Sequence, residues 1–128
     1  MNKKTSYFFL RLSMGINFFG HGLVRLTKLQ DFTEGMVKGF EKSWLPLFFV
    51  QIFGTALPFL EFIIGLMLII GFKTRIAVVA GASLIILLLF GSSTIENWEA
   101  MGIQMIYAGL LYILIYRIDD NYLSLDKK

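Results

Sequence analysis

The chain has no cysteine among its 128 residues. That absence removes disulfides, thiolate metal sites, iron–sulfur ligation and thiol–disulfide exchange from anything this chain does by itself. It also means that cysteine usage says nothing about the compartment. Histidine is nearly as scarce. His21 is the single one, so the chain cannot supply a bis-histidine haem or a multi-histidine metal centre. No metal site and no cofactor held by this chain alone are expected. Charge is thin as well: 16% of residues are charged, against roughly 25% in a soluble domain. The formal net charge is +3, but the basic residues are dispersed. No basic run interleaved with aromatics is present, so nucleic acid is not an expected partner. Phosphate-binding glycine loops, catalytic-triad spacings and metal motifs are missing too. Whether the chain is an enzyme is therefore left open, since no autonomous catalytic motif can be read.

What fills the space is apolar. Hydrophobic residues make up 56% of the chain and the mean hydropathy is +0.69, a composition that points to lipid as the solvent. The length allows one domain, here 1–128. Four spans can be drawn, over about 7–26, 47–72, 76–92 and 98–115. Each approaches the roughly 20 residues that a helix needs to cross a hydrocarbon core of about 30 Å. The first begins after Met1-Asn2-Lys3-Lys4, like a signal peptide, but Arg11 interrupts the apolar run and no small-residue cleavage site follows. It is read as a retained helix.

The segment between the first two spans carries Leu29, Phe32, Met36 and Phe40 at helical spacing, with Asp31, Glu34, Lys38, Glu41 and Lys42 mostly off that stripe. This predicts a short amphipathic helix lying at the membrane surface or capping the bundle. The expected fold class is thus an all-α membrane protein, a four-transmembrane-helix bundle with a short amphipathic helix between the first and second spans. Lys3, Lys4, Lys73, Arg75, Arg117, Lys127 and Lys128 fall at one end of that bundle, which places both termini in the cytoplasm. Trp44 and Trp98 then sit at the opposite interface as aromatic anchors.

The candidate site is a polar cluster inside the apolar spans. Glu61 lies within the second span, where a carboxylate costs roughly 2.5–3.5 kcal/mol on insertion scales unless it is paired, protonated or set in a polar cavity. The first span holds Arg11, Asn17 and His21. Asn17, His21 and Arg25 are spaced i, i+4, i+8 and form one stripe. Gly15 and Gly22 lie on an adjoining stripe that lets another helix come close. Gln51, Gly54, Pro58, Glu61 and Gly65 share a face of the second span. Pro58 frees the carbonyl of Gly54 and should kink the helix. With both termini inside, Arg11 is about one turn into the membrane and Glu61 about three turns from the inner end of its helix. A long arginine stem covers part of that gap. The expected pairs are Arg11 with Glu61, and His21 near Gln51 and Arg25. Arg11, Asn17, His21, Gln51 and Glu61 together are the candidate ligand-binding cluster. The competing reading of an Arg11–Glu61 pair is that it fixes helix register. The stripe of Met101, Met105 and Tyr112 reads as bundle packing, and Gln104 is a weaker member of the cluster.

The order of short features resembles the DoxX family of small bacterial membrane proteins. Arg11, Gly15 and Phe18-Phe19-Gly20-His21-Gly22 come first. Glu61, Gly65, and Gly71-Phe72-Lys73-Thr74-Arg75 follow in the second span and its exit. The tail ends in Ser124-Leu125-Asp126. The chain departs from the pattern in the tail, where 117–122 replace a Gly-Pro-Gly-like turn. The resemblance implies a four-helix bundle in the bacterial cytoplasmic (inner) membrane. It also implies association with membrane redox complexes, the family being named from a thiosulfate:quinone oxidoreductase system.

Three functions compete. The first is a subunit of a quinone-linked redox complex, with a quinone or similar lipid in a pocket around Glu61. The second is a non-catalytic structural or assembly subunit of a larger membrane complex. The third is a proton or small-solute carrier, the weakest because no internal repeat is visible. Expected partners are the lipid bilayer and either other membrane subunits or further copies of this chain.

Overall fold

A computed structural model describes residues 2–126. Among them no strand occurs. The elements are α1 (Lys3–Leu26), α2 (Leu29–Gly39), α3 (Leu47–Ile70), α4 (Thr74–Thr94), α5 (Trp98–Tyr116) and a short 3-10 turn (Ile118–Asp120). Helices lie over the four stretches marked by hydropathy, with ends within a few residues of them. The largest shift is at α1, which starts four residues earlier because Asn2 caps it. The Asn2 side chain accepts a hydrogen bond from the Thr5 N–H at 2.9 Å, satisfying one of the free donors of the first turn. α3 runs unbroken through Pro58, which is buried inside it.

The strongest packing joins α1 and α3, which run antiparallel. Glycines make the approach possible. A Cβ at Gly15 would lie 2.8 Å from the backbone nitrogen of Ile69. One at Gly22 would strike the backbone of Phe62 and Pro58, and one at Gly65 the backbone of Phe19. The two chains therefore touch backbone to backbone, the arrangement that small residues permit between helices in lipid. α4 and α5 pack on each other, and α4 leans on α3. The core between them is small: Met14, Phe18, Leu57, Ile64, Leu68, Ala77, Val78, Leu84, Ile85, Leu111 and Leu114 are buried.

The rest of the apolar surface faces outward. On α5 only Leu111 and Leu114 are buried, while Ile106 is 61% exposed. Phe48, Ile63, Ile76 and Ile86 show the same on α3 and α4. An aqueous solvent does not tolerate apolar surface of this extent. Three helices, α3, α4 and α5, are long and apolar enough to cross a membrane. α1 matches α3 in length, but Lys3, Lys4, Arg11 and Arg25 dilute it.

A short helix, α2, lies between α1 and α3, and none of its residues is fully buried. Its apolar stripe turns onto the bundle. Phe32 lies under the Arg25 guanidinium, whose carbon is 4.7 Å from the ring centre. Met36 covers Gly54. Just beyond the helix, Phe40 is buried beside Gly91.

Candidate functional site

Two polar clusters occupy opposite ends of the α1–α3 pair. The first surrounds Arg11, which is fully buried. Its Nε donates to the Leu68 carbonyl at 2.9 Å. Nη1 donates to Asn121 Oδ1 at 2.6 Å and to the Tyr122 carbonyl at 2.8 Å, and Nη2 donates to the Leu123 carbonyl at 2.8 Å. Three of the four acceptors are backbone carbonyls, and none is a carboxylate. The guanidinium fork, with donors fixed in a plane, suits such a divergent set.

This cluster also holds the C-terminal segment in place. α3 ends on Gly71 in the left-handed conformation, φ 70°, a backbone region glycine enters without penalty. The tail folds back over that end. Leu125 N–H donates to the Ile70 carbonyl and Asp126 N–H to the Gly71 carbonyl, so carbonyls that a helix terminus leaves free are used. The Asp126 carboxylate accepts from the N–H groups of Lys73 and Thr74 at 2.5 and 2.9 Å, where α4 begins. Asn121 Nδ2 donates to Thr74 Oγ1, Ser124 Oγ and Asp126 Oδ2. Burial pushes the Asp126 carboxyl up, but the hydrogen bonds from Thr74, Lys73 and Asn121 outweigh it and hold the group below the usual carboxylate range.

The second cluster lies nearer the other end. Arg25 Nη1 meets Glu61 Oε1 at 2.7 Å, with the Glu61 side chain 6% exposed and that of Arg25 29%. The pair borders a cavity of about 820 Å³. Its walls carry Asn17, His21 and Arg25 from α1, Phe32 and Met36 from α2, Leu57 and Glu61 from α3, and Ser92, Gln104 and Tyr107 from α4 and α5. The lining is mainly apolar.

The expected Arg11–Glu61 pair is therefore not formed, and the reason is geometric. In a helix each side chain leans toward its own N-terminus. In an antiparallel pair, Arg11 leans toward the end where α1 begins, and Glu61 leans the opposite way. Arg25, further along α1, leans back toward Glu61 and meets it. The expectation for His21 holds in one half. His21 shares the cavity with Arg25, but Gln51 is exposed and outside that wall. Gln51 lies on the outward face of α3, whereas its neighbour Val50 is buried. Of the five candidate residues, Asn17, His21 and Glu61 are thus brought to one cavity; Arg11 belongs to the other cluster and Gln51 to neither. Arg25 shares the i, i+4, i+8 stripe with Asn17 and His21, but that spacing does not point it to Glu61. Asn121 sits in an aperiodic turn and carries no sequence signal for its role. Among the described residues, no group of acidic or histidine side chains could hold a metal ion.

Long apolar helices that turn Phe, Ile and Leu outward and bury Arg11 and Glu61 between them define a helical membrane protein. A model of the DoxX family matches residues 6–95, most of the chain, and the protein belongs to that family. No curated protein and no solved structure matches the chain. Arg11, Thr74-Arg75 and the Ser124-Leu125-Asp126 tail, three parts of the resemblance far apart in sequence, lie together in the first cluster.

Proposed function

We propose that this DoxX-family protein is a one-domain subunit of a membrane redox complex and binds a quinone or a similar lipid in the cavity beside Glu61. In this reading α1 crosses the bilayer with α3, α4 and α5, giving four spans. Both termini face the cytoplasm of a bacterium, and α2 closes the bundle at the outer interface of the inner membrane. The observation that carries the reading is a large apolar cavity with an ion pair in its wall. Ligand sites of about 300–1,000 Å³ with a few convergent polar groups are the usual form for such molecules. The cavity's about 820 Å³ falls in that range. Asn17, His21 and the Arg25–Glu61 pair would hold the polar head, and the apolar walls its tail. His21 and Glu61 would pass protons to or from the head group. Electrons would come from a partner subunit or a soluble substrate.

Purification in mild detergent followed by mass spectrometry of extracted lipids tests this. A quinone-type molecule should accompany the wild type and be depleted by at least severalfold in Glu61→Gln. A wild type carrying no such molecule, with Glu61→Gln leaving the turnover of its complex unchanged, sinks the proposal.

The second reading, a non-catalytic structural or assembly subunit, is favoured by Arg11. It ties α1, α3 and the tail without touching the cavity. Co-purification separates the two readings, since a purely structural subunit retains its partners whatever occupies the cavity.

A further inference from the structure

The cavity beside the Arg25–Glu61 pair is closed toward the Arg11 cluster and open at the seam between α3 and α4. On the closed side, a Cβ at Gly81 would lie 3.3 Å from the Phe18 ring and 3.6 Å from the Ile64 side chain. α1, α3 and α4 therefore meet there, and buried Phe18 forms the floor of the cavity. Further along α4 the packing ends. Its buried residues run from Thr74 to Ile85 and then include only Ser92. Past that point Phe49 on α3, with Leu87 and Phe90 on α4, line the cavity and are each more than half exposed. Side chains that line a cavity and also meet its surroundings stand at a mouth. Trp44 packs edge-on against Phe90, with ring centres 5.8 Å apart, and frames the mouth on the side where α3 begins. All four side chains are apolar or aromatic, and they open onto the same lipid that Ile86 faces.

A second flank is exposed between α1 and α5, through His21 and Ile103. Its chemistry differs. Asn17, His21 and Arg25 belong to α1, and Glu61 is turned toward Arg25, so this flank is polar. An apolar chain gains free energy by staying against apolar surface, about 0.8 kcal/mol for each buried methylene. The α3–α4 mouth lets such a chain pass from the cavity wall into hydrocarbon without crossing polar groups. We infer, on the reading of this cavity as a lipid-ligand site, that its ligand is a long-tailed amphiphile. Its head lies at the Arg25–Glu61 pair and its tail leaves through the α3–α4 mouth into the bilayer. Leu87 at that mouth is then a determinant of specificity for the tail, with no part in holding the head.

Decylubiquinone and its tailless parent quinone share a ring and separate head from tail. Equilibrium dialysis of the purified full-length chain in detergent compares each variant with the wild type for the same probe, so that partition into micelles cancels. Leu87→Trp, which narrows the mouth, should weaken decylubiquinone by about 4- to 15-fold, the worth of one or two buried methylenes. It should leave the tailless quinone unchanged. Ile86→Trp, at the adjacent outward position and outside the cavity wall, should change neither. Photolabelling of the wild type with a quinone carrying a diazirine in its tail needs no variant. The label that unlabelled decylubiquinone displaces should fall on α3 and α4 around Phe49 and Leu87. Leu87→Trp binding both probes like the wild type, or weakening both equally, overturns the inference and leaves the lipid-site reading standing. So does an equal loss in Ile86→Trp, or displaceable label around His21 and Ile103 instead. If Leu87→Trp does not accumulate, or the tailless quinone binds too weakly to measure, the position of the label decides alone. If neither probe binds the wild type, the lipid-site reading falls and this inference with it.

Discussion

The two arginines of α1 sit about four turns apart on one helix and are handled in opposite ways. Arg11 is fully enclosed, and its donors end on backbone carbonyls and an asparagine. Arg25 is partly exposed, faces a cavity and is paired with a carboxylate that packing has nearly buried. At the Arg11 end, the buried polar atoms are matched to one another, and the cavity of about 610 Å³ beside Asn121 and Asp126 is walled by groups that already have partners or face outward. At the Arg25 end, a cavity remains and the Gln104 side chain keeps one buried polar atom unpaired. The difference teaches that a charge within apolar helices is not by itself a sign of chemistry. What its neighbours leave unsatisfied is the better guide.

The largest effect is expected at Arg11. Arg11→Met should cost more than about 3 kcal/mol, because several buried acceptors lose their donor at once. Purified yield and melting temperature should collapse, and the C-terminal segment should become open to protease. Arg11→Lys should restore little, since an ammonium cannot reproduce the planar fork. If Arg11→Met melts like the wild type, the enclosed end is not the structural one.

Gly65→Val comes next. The added side chain meets Phe19 backbone, which cannot step aside as a flexible side chain would. A loss of about 1–3 kcal/mol is expected from overpacking, read as a lowered melting temperature. The same substitution at Gly102, where nothing lies close, is the control.

A smaller effect belongs to Asp126. Asp126→Asn should destabilise by about 1 kcal/mol at neutral pH, the usual worth of a helix cap. The sign with pH follows from its lowered pKa. A carboxyl held below its unfolded value contributes stability above that value, about 3.9, and loses it as the pH falls through the depressed value. The gap in melting temperature between wild type and variant should therefore close only in acid. A gap that closes near neutrality would contradict the capping role.

The smallest effect is expected at Gln51. It is exposed and outside the cavity wall, so Gln51→Leu should stay within about 0.5 kcal/mol and leave ligand retention unchanged. A loss of bound lipid in that variant would redraw the cavity.

Much of the helical framework was legible beforehand. Hydropathy marked α3, α4 and α5, and the stripe of Leu29, Phe32, Met36 and Phe40 marked α2. Gly15 and Gly22 announced a close helix contact, and Gly65 on α3 supplies its other half. The polar partners were harder. Glu61 was recognisable as a residue needing company, yet reasoning from depth assigned it Arg11. The tail motif Ser124-Leu125-Asp126 was recognisable as a pattern, but its function as a cap on α4 could not be read from residues more than fifty positions away from it.

Composition and period alone thus determined that this chain is helical, apolar and burdened with a few charges inside its helices, because transfer energy and the 3.6-residue turn act residue by residue. Which charge meets which was decided only by tertiary structure. Side chains lean toward their own N-termini, so antiparallel packing of α1 on α3 swings Arg11 and Glu61 apart and brings Arg25 to Glu61. No local property of those residues contains that result.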